Sequence, residues 1–94
     1  MREVLTAFIV PRYFCALIAD DIGLIFKVKK NGRYHAVAKL RYSRIEFVEF
    51  HGSNIEINMK SGKMLKASVL QKKRLIEILD ANDVSCFDLG FNPF

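Results

Sequence analysis

Three turn-forming dipeptides, Asn31-Gly32, His51-Gly52 and Ser61-Gly62, cut the middle of this chain into short strand-like runs. The first is the strongest signal. Asn-Gly tolerates positive φ at both central positions of a type I′ turn, whose twist matches that of the strands it joins. Turns this closely spaced build hairpins, because a strand of five or six residues has no other short way back.

The runs between the turns carry the period of a strand. Leu24–Lys29 sets Phe26 and Val28 against Lys27 and Lys29. Arg33–Lys39 returns beside it, with Tyr34 and either Ala36 or Val37 expected on a buried face. In 45–50 Ile45, Phe47 and Glu49 alternate with Glu46, Val48 and Phe50, and both phases carry aliphatic or aromatic residues, so both faces are expected to be partly covered. Asn54–Lys60 alternates cleanly, with Ile55, Ile57 and Met59 inward, and Met64–Ala67 follows. Upstream, Val4–Val10 and Tyr13–Ala19 read as buried strands separated by Pro11-Arg12. Alternation with one buried and one solvated face is the mark of an antiparallel meander.

A different period takes over after Ser68. Ser68 and Gln71 have the spacing of a capping box, and Leu75, Ile76 and Leu79 form an apolar stripe. The pattern predicts a helix over about 69–81, with Asn82 able to end it in the left-handed conformation. Residues 84–94 then form a tail in which Phe87, Leu89, Phe91 and Phe94 are too apolar to stay in solvent. We expect them to pack on the body of the protein or on a second copy.

Ninety-four residues leave room for one hydrophobic core, so the organisation expected is one domain, 1–83, followed by the tail. The fold class is mainly β: a bent antiparallel sheet or partly open barrel of about seven strands, capped by one C-terminal helix. Pro11-Arg12 and Asp20-Asp21 interrupt the apolar N-terminal run. It therefore reads neither as a signal peptide nor as the roughly 20 residues that span a bilayer. Two cysteines, Cys15 and Cys86, make no disulfide framework. A cytoplasmic protein with reduced thiols is expected.

One set of residues resembles the bacterial pleckstrin-homology-like domains. The run Arg41-Tyr42-Ser43-Arg44-Ile45 precedes the pair Phe47-Val48 and Ser53–Ile57. A Lys60-Ser61-Gly62-Lys63 turn and the helical Leu75–Leu79 follow. The resemblance covers about residues 24–82. It implies a strongly bent sheet with its helix plugging one end, and a binding or scaffolding role. Lipid-binding members of the wider family use a basic loop between their first two strands. Here that connection is Pro11-Arg12, with one charge, so no specific phosphoinositide site is expected.

Charge is uneven. Residues 27–74 hold thirteen of the fifteen Lys and Arg against Glu46, Glu49 and Glu56, a local charge of +10, whereas residues 75–94 carry −4. Candidate contacts for an anion or a partner are Lys27, Lys29, Lys30 and Arg33 with Tyr34 on the first Gly hairpin, and Lys72, Lys73 and Arg74 on the helix, which could join Lys60, Lys63 and Lys66. A solvated surface is the ordinary reading of such charges, and it is preferred for both groups. His35 and His51 have no ligand partners at metal spacing along the chain, although Glu49 and His51 share strand parity. No nucleophile stands beside a base, so no catalytic residue, metal or cofactor is expected. Asn92-Pro93-Phe94 resembles the tripeptide bound by eukaryotic EH domains. The reading is a small non-catalytic module acting through protein–protein contact, including self-association through its tail or service as an accessory or inhibitor protein. The alternative is an electrostatic binder of nucleic acid or anionic membrane through residues 27–74.

Overall fold

The alternating runs become strands whose inward residues meet in one core. The structure, a computed structural model, describes residues 2–9 and 13–90. Its strands are β1 (Glu3–Ile9), β2 (Tyr13–Ala19), β3 (Gly23–Lys30), β4 (Arg33–Arg41), β5 (Ile45–His51), β6 (Asn54–Met59), β7 (Met64–Val69) and β8 (Ser85–Asp88). A 3-10 turn, Tyr42–Arg44, joins β4 to β5, and helix α1 spans Lys72–Ala81. All eight strands belong to one bent, unclosed sheet in the order β4-β3-β2-β1-β7-β6-β5-β8. Two antiparallel meanders, β1–β4 and β5–β7, are joined where Ala7, Phe8 and Ile9 pair with Val69, Ser68 and Ala67. The sheet thus has two free margins, β4 and β8.

The inner face collects Leu17, Leu24, Phe26, Val48, Phe50 and Ile57, all fully buried. Each such side chain contributes about 1.5–3 kcal/mol through its removal from water. Helix α1 closes one end of this core with Leu75 and Leu79, also fully buried. Among the described residues no buried polar or charged side chain interrupts the core, and no helix is long and apolar enough to cross a membrane.

Two glycines are dictated by geometry. Asn31 and Gly32 both have positive φ, 53° and 75°, as the type I′ turn requires. Gly23 lies so close to β4 that a Cβ there would strike the Leu40 carbonyl oxygen and the Arg41 backbone. The turn before it is fixed by Asp20, whose carboxylate accepts from the backbone N–H of Ile22 at 2.8 Å and of Gly23 at 2.9 Å. Those bonds hold the Asp20 carboxyl below its usual range. The buried Tyr42 hydroxyl donates to the Asp20 carbonyl at 2.9 Å. Its burial, then the charges of Asp20 and Asp21, push its pKa up to about 12.

Several local expectations are corrected. Ser68 caps no helix: β7 runs on to Val69, and the Ser68 hydroxyl donates to Asn54 Oδ1 at 2.7 Å. The helix therefore starts at Lys72, with Gln71 as its N-terminal flank. Gln71 Oε1 reaches across to accept from the Thr6 N–H at 2.8 Å, tying the start of the helix to β1. At the other end Asn82 keeps negative φ and Asp83 takes the left-handed conformation, φ 60°. In β5 a register irregularity between Ile45 and Phe47 switches the phase. Ile45, Val48 and Phe50 are buried, while Phe47 and Glu49 move to the outer face. Tyr34 is not inward: it is 54% exposed, as is its whole neighbourhood from Arg33 to Val37.

The tail supplies the eighth strand. Val84 is buried, and Ser85–Asp88 pair with Phe47–Phe50 in parallel. Parallel pairing is allowed because α1 serves as the crossover that parallel strands need. The Phe87 and Phe47 rings meet edge to face, centroids 5.8 Å apart. Phe87 and Leu89 remain half exposed. Phe91, Phe94 and the Asn92-Pro93-Phe94 tripeptide lie outside the described residues, as does Pro11-Arg12.

Candidate functional site

The sheet fails to close between β4 and the β6–β7 hairpin, and that gap forms a broad concavity. The chain leaves β4 through Tyr42–Arg44 and enters β5 without pairing the two strands. A groove of about 1050 Å³ results, walled by Val37–Arg41 on one side and Met59–Leu65 on the other. A neighbouring depression of about 740 Å³ shares Val37, Ala38 and Leu65 and extends under Ile9, Val28 and His35. The floor is the margin of the core, since Ala38, Leu40, Met59 and Leu65 pack against it from the open side. Val37 and Met64 stand half exposed at the lip.

The rim is basic. Lys39, Arg41 and Arg44 come from the β4 side, Lys60 and Lys63 from the β6–β7 turn, and Lys30 from the hairpin tip. Among the described residues no Asp or Glu lines either depression. Strand parity explains the pattern: Lys39 and Arg41 alternate with Ala38 and Leu40, so one phase packs down and the other stays exposed. The turn is held by backbone bonds, Gly62 N–H to the Met59 carbonyl and Met59 N–H to the Lys63 carbonyl.

The residues singled out from the sequence separate into two groups. Lys29, Lys30, Arg33 and Tyr34 cluster at the exposed β3–β4 tip, with Lys29 Nζ 5.9 Å from the Tyr34 ring centroid. Lys27 sits beside them on β3 opposite Ala36. On the helix, Lys73 is exposed but its neighbours are engaged. Lys72 pairs with Asp88 at 2.9 Å, and Arg74 grips Glu3 through Nε and a terminal nitrogen and adds Glu77 at 3.2 Å. Asp88 and Glu3 bring acid to the first turn of a helix whose own sequence offers none, which offsets the unfavourable dipole. The bonds from Arg74 and Lys72 hold the Glu3 and Asp88 carboxyls below their usual range. Lys72 and Arg74 therefore fasten β8 and β1 to the helix. Lys39, Arg41 and Arg44 were not singled out from the sequence. They matter because β4 is a free margin, and sheet order is not written in a strand's own residues.

Two thiols complete the inventory. Cys15 is buried in the core, and burial pushes its thiol up. Cys86 donates to the Val84 carbonyl and is pushed up to about 11, by burial and then by Asp80. Neither environment favours a nucleophilic thiolate.

On the opposite, outer face of β5 and β6, Glu49, His51 and Glu56 bring three donor atoms within 4.8 Å of one another. His51 Nε2 stands 3.5 Å from Glu56 Oε2. No family model matches this chain, and no curated protein is significantly similar to it in sequence.

Proposed function

We propose that this protein is a non-catalytic binding module whose groove between β4 and the β6–β7 hairpin takes an extended acidic segment of a partner protein. The observation that carries the reading is a free edge strand beside an apolar floor with a rim whose charged residues are all basic. An unpaired edge offers a row of N–H and C=O groups to an incoming strand, whose alternate side chains enter the groove. Acidic residues in the other phase meet Lys39, Lys60 and Lys63. The reading favours protein over nucleic acid because the floor is aliphatic. Among the described residues no Phe or Tyr lines either depression, whereas single-stranded nucleic acid needs several stacking platforms.

A meander of four strands, a second of three and a closing helix support a pleckstrin-homology-like origin for this module. Cys15 and Cys86 form no disulfide, which suits a role in the reducing cytoplasm.

The test is amide chemical-shift mapping with an acetylated octapeptide alternating Glu and Val. Shifts concentrated in β4 and residues 59–65 are expected, with binding at least about tenfold weaker in Lys39→Glu/Lys63→Glu, since close complementary charges steer and hold a partner. Shifts spread evenly over the surface would overturn the reading. So would tighter binding of an eight-nucleotide single strand or of anionic vesicles at the same ionic strength.

A further inference from the structure

We infer that Glu49, His51 and Glu56 form a binding site for a zinc-type divalent cation on the outer face of the β5–β6 hairpin. Three observations converge on it. Glu49 and Glu56 are directly opposite in the antiparallel register, and two carboxylates facing each other across strands repel. Lys66 stands opposite Glu56 on β7, yet no ion pair joins them among the described residues. His51 is 32% exposed as a side chain, but its Nε2 atom is buried and makes no hydrogen bond. A buried polar nitrogen left without a hydrogen bond is rare and calls for an explanation.

The geometry suits an ion. The 3.5 Å between His51 Nε2 and Glu56 Oε2 falls within ion-pair range but lacks hydrogen-bond alignment. Two ligands on a tetrahedral cation with bonds of about 2.0–2.2 Å stand about 3.4 Å apart. The third donor, from Glu49, lies within 4.8 Å of the others. One divalent cation would neutralise both carboxylates and give Nε2 the bond it lacks. One imidazole and two carboxylates are a mixed nitrogen–oxygen set suited to Zn²⁺ and related transition ions more than to Ca²⁺ or Mg²⁺.

The frame is rigid enough to hold such a set. Glu49 and His51 lie two residues apart on β5, which is paired on one side by β6 and on the other by β8. A concavity of about 350 Å³ beside His51, Asn54 and Glu56 leaves room for a fourth ligand, water in the simplest case. Three protein ligands and an open position distinguish this arrangement from a closed structural site.

Titration of the full chain with Zn²⁺ by calorimetry tests the inference, with Co²⁺ as a spectroscopic probe. One equivalent is expected to bind, and the Co²⁺ spectrum should lack a thiolate charge-transfer band. His51→Gln and Glu56→Gln should each weaken binding by more than about tenfold, the loss that even outer partners of a metal can cause. Glu49→Gln serves as the second variant if either disturbs the amide spectrum, and His35→Gln should bind as the parent does. The inference is overturned by absence of binding or by binding that survives the substitutions. A thiolate band lost with Cys86→Ser would overturn it equally.

Discussion

The two margins of this sheet are built on opposite principles. β8 is four residues long and held from three directions: Lys72 of the helix pairs with Asp88, the Phe47 and Phe87 rings meet, and the Gly52 N–H donates to the Gly90 carbonyl at 2.9 Å. β4 is nine residues long, and its first five are exposed on both faces. A short strand under a helix leaves little edge to recruit another chain. A long open one must be guarded by charge, and Arg33, Lys39 and Arg41 provide it. The same lysines and arginines that repel a second copy of β4 would attract an acidic strand. One margin is closed by the fold itself, and the other stays open.

That contrast predicts unequal sensitivity to mutation. Phe26 of β3 is fully buried and faces Ala38 of β4, so Phe26→Ala should lower stability by about 3–5 kcal/mol in denaturant unfolding. A loss under 1 kcal/mol would mean that β3 and β4 stand outside the core. Gly23→Ala comes next, at about 1–3 kcal/mol, because the added Cβ meets backbone that cannot yield. Val37→Ala on the open margin should change stability by less than about 0.5 kcal/mol. At the closed margin, Lys72→Met should speed hydrogen exchange of the β8 amides while leaving those of β3 unchanged. Uniform exchange across both strands would show that the ion pair is not what fastens β8.

Acid should loosen the closed end first. Glu3, Asp20 and Asp88 have folded pKa values held below their unfolded ones. Their stabilisation is complete above the ordinary carboxylate range and is lost as pH falls through the lowered folded values. Asp20→Asn keeps an acceptor for the turn but cannot titrate, so its stability should fall less steeply with acid. A parallel pH profile for the variant and the parent would exclude Asp20 from that dependence.

Much of the architecture was legible because it is local. Asn31-Gly32 forces a hairpin wherever it stands between strand-like runs, and Ile55, Ile57 and Met59 declare their face by parity. The apolar stripe of Leu75 and Leu79 needs only the helical period. The errors came where a distant residue competed. Ser68 and Gln71 have the spacing of a capping box, but Asn54 and Thr6 lie nearer in space and take their hydrogen bonds. In β5 both faces are partly covered, as the two apolar phases imply, but the irregularity after Ile45 that puts Ile45 with Val48 and Phe50 is not readable from parity.

The candidate sites were less visible still. Glu49 and His51 share parity along one strand, but the carboxylate of Glu56 joins them only through the β5–β6 register. The basic groove needs β4 to end the sheet and the β6–β7 hairpin to stop short of it, a matter of strand order. Turns, strand faces and the helix are set by neighbours in the chain, whose interactions survive any arrangement of the rest. Which margin stays open, which lysines share a rim and which carboxylates face each other depend on pairings across tens of residues. Those pairings are selected by burial of the whole core, so they exist only once the sheet has folded around it.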